Sequence, residues 1–399
     1  MHRIAALITA TLLAGQSAEA LPLTLTGNPH PVPAYCPFTQ TKFLPFYNSG
    51  NQKWNDAPTL SITVNGLPLI ATMDTGSTGI VIDSKYGFNS TYLQKDCEIG
   101  HVFYSSSHWL QEGYWCTTDV DVGGVVTSAL ALIRTNEVCC PKFSESVDGN
   151  RCKIREKACV CKGTCTSTAD QSALTRRILE EDEEISKIEA RQTTTAAVGK
   201  AYMGVGFARG NPPSHNLFMN IKSIDGEPVT ALKFRTGYVI NSTGVWLGIT
   251  KSNTAGFSAV KLNLREGNAD NRDWGEPPCD IQINNGSWVT GTFLADTGIP
   301  NAYVRGDVAH KEGNDITIRI PEPSNPFGEV KFVSVPKTKA GTIGTENPMQ
   351  PTWVGVRSIP GVNTGRKFYN GYDLYFDGDG GYFGFRKKSY LGQIGGGIL

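Results

Sequence analysis

The sequence predicts a mainly β protein of two lobes related by a pseudo-twofold axis, and three observations carry that expectation. The first is an internal duplication. Leu69-Ile70-Ala71-Thr72-Met73-Asp74-Thr75-Gly76-Ser77 has a near copy at Gly291-Thr292-Phe293-Leu294-Ala295-Asp296-Thr297-Gly298-Ile299, 222 residues later, and a repeat on that scale dictates architecture. The second is alternation upstream of each copy. Leu60, Ile62 and Val64 precede Asn65-Gly66, and Ile281 and Ile283 precede Asn285-Gly286. Asn-Gly between alternating runs marks a hairpin, so each half presents a hairpin whose return strand ends in an Asp-Thr-Gly turn. The third is composition. Gly 44 and Pro 22 suit a turn-rich β protein, and 399 residues at 39% hydrophobic suffice for two domains.

Charge excludes some partners. Lys plus Arg and Asp plus Glu are both 37, and without a basic excess nothing points to nucleic acid or an anionic membrane surface. Residues 1–20 read as a secretory signal peptide, with Arg3 at the positive start, an apolar run from Ile4 to Leu13 and the small-residue motif Ala18-Glu19-Ala20. That run is too short to span a bilayer, and no later stretch reaches the length needed. The expectation is a secreted, extracellular protein. Ten cysteines, an even number, fit an oxidising destination. Asn89-Ser90-Thr91, Asn241-Ser242-Thr243 and Asn285-Gly286-Ser287 are N-glycosylation sequons.

Residues 21–45 are Pro-rich and expected to be extended, leaving room for a short prosegment at most. The first lobe is assigned to 46–215 and the second to 216–399. Within the first, Phe103 and Tyr104 precede Gly113-Tyr114-Trp115-Cys116 and a strand from Asp119 to Gly124. Residues 137–195 break the repeat. Their cysteines (Cys139, Cys140, Cys152, Cys159, Cys161, Cys165) include no Cys-x-x-Cys pair and no neighbouring His, so disulfide staples are favoured over a metal site. Asp170 to Gln192 reads as a helix, with Leu174, Ile178, Ile185 and Ile188 on one face. Thr193 to Val198 reads as a rejoining loop. In the second lobe Gly237–Ile240 and Val245–Ile249 pair, and Gly392–Leu399 is a tail.

Two Asp-Thr-Gly turns meeting across a twofold axis would set two carboxyls side by side. Like charges that close cannot both ionise easily, so one proton is shared and the pair titrates as a unit. The ionised partner can draw a proton from water while the protonated one assists a carbonyl, which is what amide hydrolysis requires.

At Asp74-Thr75-Gly76-Ser77 and Asp296-Thr297-Gly298 the chain resembles the pepsin-like aspartic proteases, two-lobed enzymes with one such loop per lobe. The resemblance recurs from Gly365 to Asp377 and at Gly384-Phe385, similar to the family segment in which a Gly packs behind the catalytic loop and a strand pair closes the lobe. It covers most of 55–390. It implies catalysis by Asp74 and Asp296, cross-bracing by Thr75 and Thr297, loop support from Gly76, Ser77 and Gly298, and Gly206 behind the first loop. It also implies a polypeptide substrate between the lobes, a monomer, an acidic optimum, and no metal or other cofactor.

The sequence departs from the family in places. Residues 97–124 stand where the family has a substrate flap. Tyr104 could be its tyrosine or an ordinary strand residue, and Val81 replaces the family's usual Trp partner. Ile299 stands where a hydroxyl usually holds the second carboxylate, which predicts a weaker hold on Asp296. These departures keep a competing reading open, a catalytically inactive binding protein that takes a glycan or protein in the cleft or on the Cys-rich insertion. A Ser-His-Asp hydrolase is disfavoured, since there is no Gly-x-Ser-x-Gly elbow.

Overall fold

The computed structural model describes residues 33–48, 54–104, 108–140, 199–265, 271–305, 311–324, 326–340, 346–357 and 359–388. The leader at 1–20, most of the 137–195 insertion with its expected helix, the rejoining loop and the C-terminal tail lie outside the described residues.

Period-two burial builds the strands. In Thr59–Val64 the apolar Leu60, Ile62 and Val64 are buried while Ser61 and Thr63 are exposed. The chain turns through Asn65 and Gly66, at φ of 51° and 78°, as a two-residue hairpin turn demands. It then returns antiparallel as Leu67–Asp74. Pro278–Ile283 and Val289–Leu294 repeat the hairpin in the second half. Among the described residues one α-helix forms, Ser90–Asp96, and no helix is long and apolar enough to cross a membrane.

The strands make a nine-stranded sheet that carries the first Asp-Thr-Gly, a seven-stranded sheet that carries the second, and a six-stranded sheet. The duplication is visible in the pairings of the two larger sheets. Leu67–Asp74 lies parallel to Gly199–Val205, which is antiparallel to Thr78–Asp83, which is parallel to Val125–Cys139. Val289–Leu294 lies parallel to Gly361–Asn363, which is antiparallel to Ala302–Arg305, which is parallel to Val354–Arg357. In both sheets a later strand is thus inserted between the strand entering the Asp-Thr-Gly turn and the strand leaving it. That insertion turns a common tripeptide into a rigid platform.

The six-stranded sheet takes Lys42–Pro45 at its edge, paired with Gly244–Leu247, and contains the expected pair with Gly237–Ile240. Tyr35 is buried beneath it. Its hydroxyl donates to Asp377 Oδ2 at 3.0 Å, and Arg235 grips the same carboxylate with two bonds of 2.9 Å. From Tyr35 onward the Pro-rich segment is built into this sheet, so a removable prosegment would have to end before it. Cys97 and Cys116 form a disulfide, and Cys139 and Cys140 are each disulfide-bonded. Among the described residues Cys36 and Cys279 keep free thiols.

Candidate active site

Each Asp ends or follows a strand whose position is fixed on both sides, so its carboxyl has little freedom. Asp74 closes Leu67–Asp74 and Asp296 follows Val289–Leu294 by two residues; they are only 4% and 8% exposed. The two turns interlock. A Cβ added at Gly76 would lie 2.3 Å from the Asp296 carboxyl, and one at Gly298 would lie 2.6 Å from Asp74 Oδ1. Each glycine therefore leaves the space in which the opposite carboxyl nests, a close approach that a side chain would block.

The threonines brace the turns reciprocally. Thr75 N donates to Thr297 Oγ1 and Thr297 N to Thr75 Oγ1, both at 3.0 Å. Thr75 Oγ1 donates to Ala295 O at 2.6 Å and Thr297 Oγ1 to Met73 O at 2.8 Å. On the Thr75 side Tyr369 adds its hydroxyl, 3.3 Å from Thr75 Oγ1 and 3.2 Å from Ala295 O. Behind the turns, a Cβ at Gly206 would meet Thr75 O at 2.1 Å, and one at Gly365 would meet Asn301 O at 2.3 Å. Arg366 ties the second turn to Asn55, donating to Gly298 O at 3.2 Å and to Asn55 O at 3.0 and 2.8 Å.

The donors around the two carboxyls differ. Asp74 Oδ1 accepts from Gly76 N at 2.7 Å; its Oδ2 accepts from Ser77 Oγ and from the Tyr202 hydroxyl, both at 2.6 Å. Asp296 Oδ1 accepts from Gly298 N and its Oδ2 from Asn363 Nδ2, both at 2.8 Å. The weaker hold expected at Asp296 because of Ile299 is therefore offset: Asn363, on the inserted strand, supplies the donor that Ile299 lacks. Burial first, then the Asp74 charge and a hydrogen bond with Asp74, hold the Asp296 carboxyl well above the usual carboxylate range.

Tyr104 ends the strand Glu98–Tyr104 and packs edge-on against Tyr202, ring centroids 5.1 Å apart. Burial and the Asp74 charge push its phenol upward, so it belongs to the surroundings of the pair. Tyr202 stands directly across from Val81 in the strand pairing. A buried cationic group stands close as well: Arg209 and Arg357 both pair with Glu276. Burial and Arg357 lower Arg209 to about 10, while Asp296 and Asp74 pull it back up. Tyr202, Asn363 and Arg209 were not singled out in the sequence. All three sit at or next to the inserted strands or their partners, beside the backing glycines, and that position is the signal that could have found them. Among the described residues no group of three or more His, Cys, Asp or Glu side chains is placed to hold a metal ion.

No family model matches the chain, and comparison with curated proteins finds no match either. Among solved structures, the fold is similar to that of an aspartic proteinase from Irpex lacteus. The two share 10% identity over 88% of this chain and 98% of that chain, with a TM-score of 0.46. A likeness of that score carries no information about residues or chemistry. The strand pairings themselves define the class: a mainly β protein with two loop-bearing sheets of the same internal order.

Proposed function

We propose that the chain is a secreted aspartic endopeptidase that hydrolyses peptide bonds with a water activated between Asp74 and Asp296. One observation carries this reading: two buried carboxyls nest on each other's glycines and are held by unequal sets of donors. Asp74, with three donors, is the base and takes a proton from water as its oxygen bonds to the peptide carbonyl carbon. Asp296 gives its proton to the carbonyl oxygen, forming a tetrahedral diol. Collapse breaks the C–N bond as Asp74 gives its new proton to the departing amine and Asp296 takes one back from a diol hydroxyl. This leaves a carboxylic acid product, restores the pair and involves no covalent enzyme intermediate. The substrate is an extended polypeptide, the chain acts as a monomer, and the optimum is acidic because the pair must keep one proton.

A second reading, a non-catalytic binding protein, is favoured by a specific observation: the Tyr202 hydroxyl stands in the gap between the turns. A Cβ at Gly298 would lie 3.0 Å from it, beside Asp74. The deciding experiment measures cleavage of an unfolded protein from acidic to neutral pH by the wild type, Asp74→Asn and Asp296→Asn. Acid cleavage lost in both variants supports the endopeptidase. A folded wild type that neither cleaves nor binds a pepstatin-type transition-state mimic sinks it.

A further inference from the structure

We propose that Tyr202 is a positioning residue that fixes Asp74 as the ionised member of the pair and couples that choice to the hairpin bearing Tyr104. The geometry is specific. The phenol donates to Asp74 Oδ2 at 2.6 Å, sharing that oxygen with Ser77 Oγ. It arrives from Gly199–Val205, the strand inserted between the two strands of the first turn, where Tyr202 faces Thr72 on one side and Val81 on the other. Directly opposed residues project to the same face of a sheet, so the small Val81 leaves that face to the larger Tyr202. Tyr104 then stacks its edge on the Tyr202 ring at 5.1 Å. A continuous path of contact runs from the hairpin through two phenols to one carboxylate.

The chemistry suits a permanent donor. Burial foremost, then the charges of Asp74, Tyr104 and Asp296, hold the Tyr202 phenol far above its ordinary range, so it keeps its proton wherever the carboxyls titrate. A hydrogen bond to a carboxylate favours the ionised form, and among the described residues Asp296 accepts from Gly298 N and Asn363 Nδ2 rather than from a phenol. Among the described residues the other titratable groups acting on the pair are Tyr369 beside Thr75, Tyr303 near Asp296 and the buried Arg209. Arg209 acts on both carboxyls, on Asp296 more than on Asp74, so its charge does not favour the ionised form at Asp74 over Asp296. Tyr202 does, because it touches Asp74.

This inference deepens the endopeptidase reading and rests on it for its kinetic test, so a second measurement is made without substrate. Tyr202→Phe keeps the ring against Tyr104 and removes only the hydroxyl. Losing a donor to a carboxylate raises that group's pKa, so the acid limb of the kcat/KM profile moves up by about one pH unit, tenfold in the protonation equilibrium. KM at the optimum changes less than about twofold, since the hydroxyl acts on the carboxyl and not on uniform substrate binding. In parallel, carboxyl-carbon NMR of Asp-labelled protein follows the pair, with Asp74→Asn and Asp296→Asn assigning its signals. The lower of the two steps rises by about the same one unit in Tyr202→Phe. If wild type cleaves and neither limb nor step moves, the Tyr202 role is overturned while the endopeptidase stands. If the step moves but no substrate is ever cut, the Tyr202 role stands and the endopeptidase reading falls. A changed KM with an unmoved step would make Tyr202 a substrate contact and overturn the positioning role.

Discussion

The two Asp-Thr-Gly turns are alike in backbone and unlike in side-chain company. Both are bracketed by the same parallel and antiparallel pairings, both nest a carboxyl on the opposite glycine, and their threonines brace one another with matched bonds of 3.0 Å. The donors to the outer oxygens break that match. The first turn uses its own Ser77 and the phenol of Tyr202; the second, with Ile299 at the Ser77 position, borrows Asn363. A duplicated backbone can bring two identical acids together, but only an unsymmetrical shell makes one of them the base and the other the acid.

The strongest test of that division removes one acid at a time. Asp74→Asn and Asp296→Asn are each expected to lower kcat/KM by about a hundredfold to ten-thousandfold, the range of general acid–base contributions. A variant that kept near-full activity, measured on a protein shown to be folded, would show that its carboxyl is not half of a working pair. Next in size are the braces. Thr75→Val strands Thr297 N, and Thr297→Val strands Thr75 N. Each orphaned buried group costs about 1–3 kcal/mol. Tyr369 still reaches Ala295 O in Thr75→Val, so Thr297→Val should show the larger drop in denaturant-derived stability. Equal losses would mean that Tyr369 lends nothing to the brace.

Much of this was legible in the sequence because the platform is written locally. The first hairpin follows from Asn65-Gly66, while the second turns one residue earlier than Asn285-Gly286, with Asn284 and Asn285 at positive φ; Thr75 and Thr297 sit in the repeated tripeptides themselves. The shell was not legible for a physical reason. Tyr202 and Asn363 lie far along the chain from the acids they touch, on strands that sequence periodicity locates but does not pair. Each precedes a backing glycine, Gly206 or Gly365, by four or two residues, so a polar or phenolic residue just upstream of such a glycine is the mark to look for. Tyr35 and Lys42–Pro45 escaped for a related reason. The edge strand is four residues long, too short for a pattern, and its partner Gly244–Leu247 lies about two hundred residues away.

A gentler pair of substitutions sharpens the comparison from the Asp296 side. Asn363→Leu removes a donor from Asp296, so that acid should keep its proton to higher pH and move the alkaline limb of the kcat/KM profile upward by about one unit. Ile299→Thr offers the second turn the hydroxyl that the first has in Ser77, and should move the same limb downward. An acid limb that moved instead, in either variant, would place the shared proton on Asp74 and reverse the assignment.

The smallest expected effect is on stability, and it separates the two acids without any substrate. Burial, the nearby charge of Asp74 and its hydrogen bond raise Asp296 in the folded protein. A group raised on folding binds its proton more tightly in the native than in the unfolded state. Its contribution to stability is therefore present below the ordinary carboxylate range and is lost as pH rises through the raised native value. Asp296→Asn removes that loss, because the amide cannot ionise. Urea unfolding of wild type and variant should show their stability difference shifting in the variant's favour between about pH 3 and neutrality. Asp74→Asn should show a smaller shift of the same sign, since it takes the Asp74 charge away from Asp296 but leaves burial, the largest cause, to raise it. It also leaves three donors facing an amide. If the two variants instead track each other across that range, the proton is divided evenly, and the unequal shell around these turns does not decide where it resides.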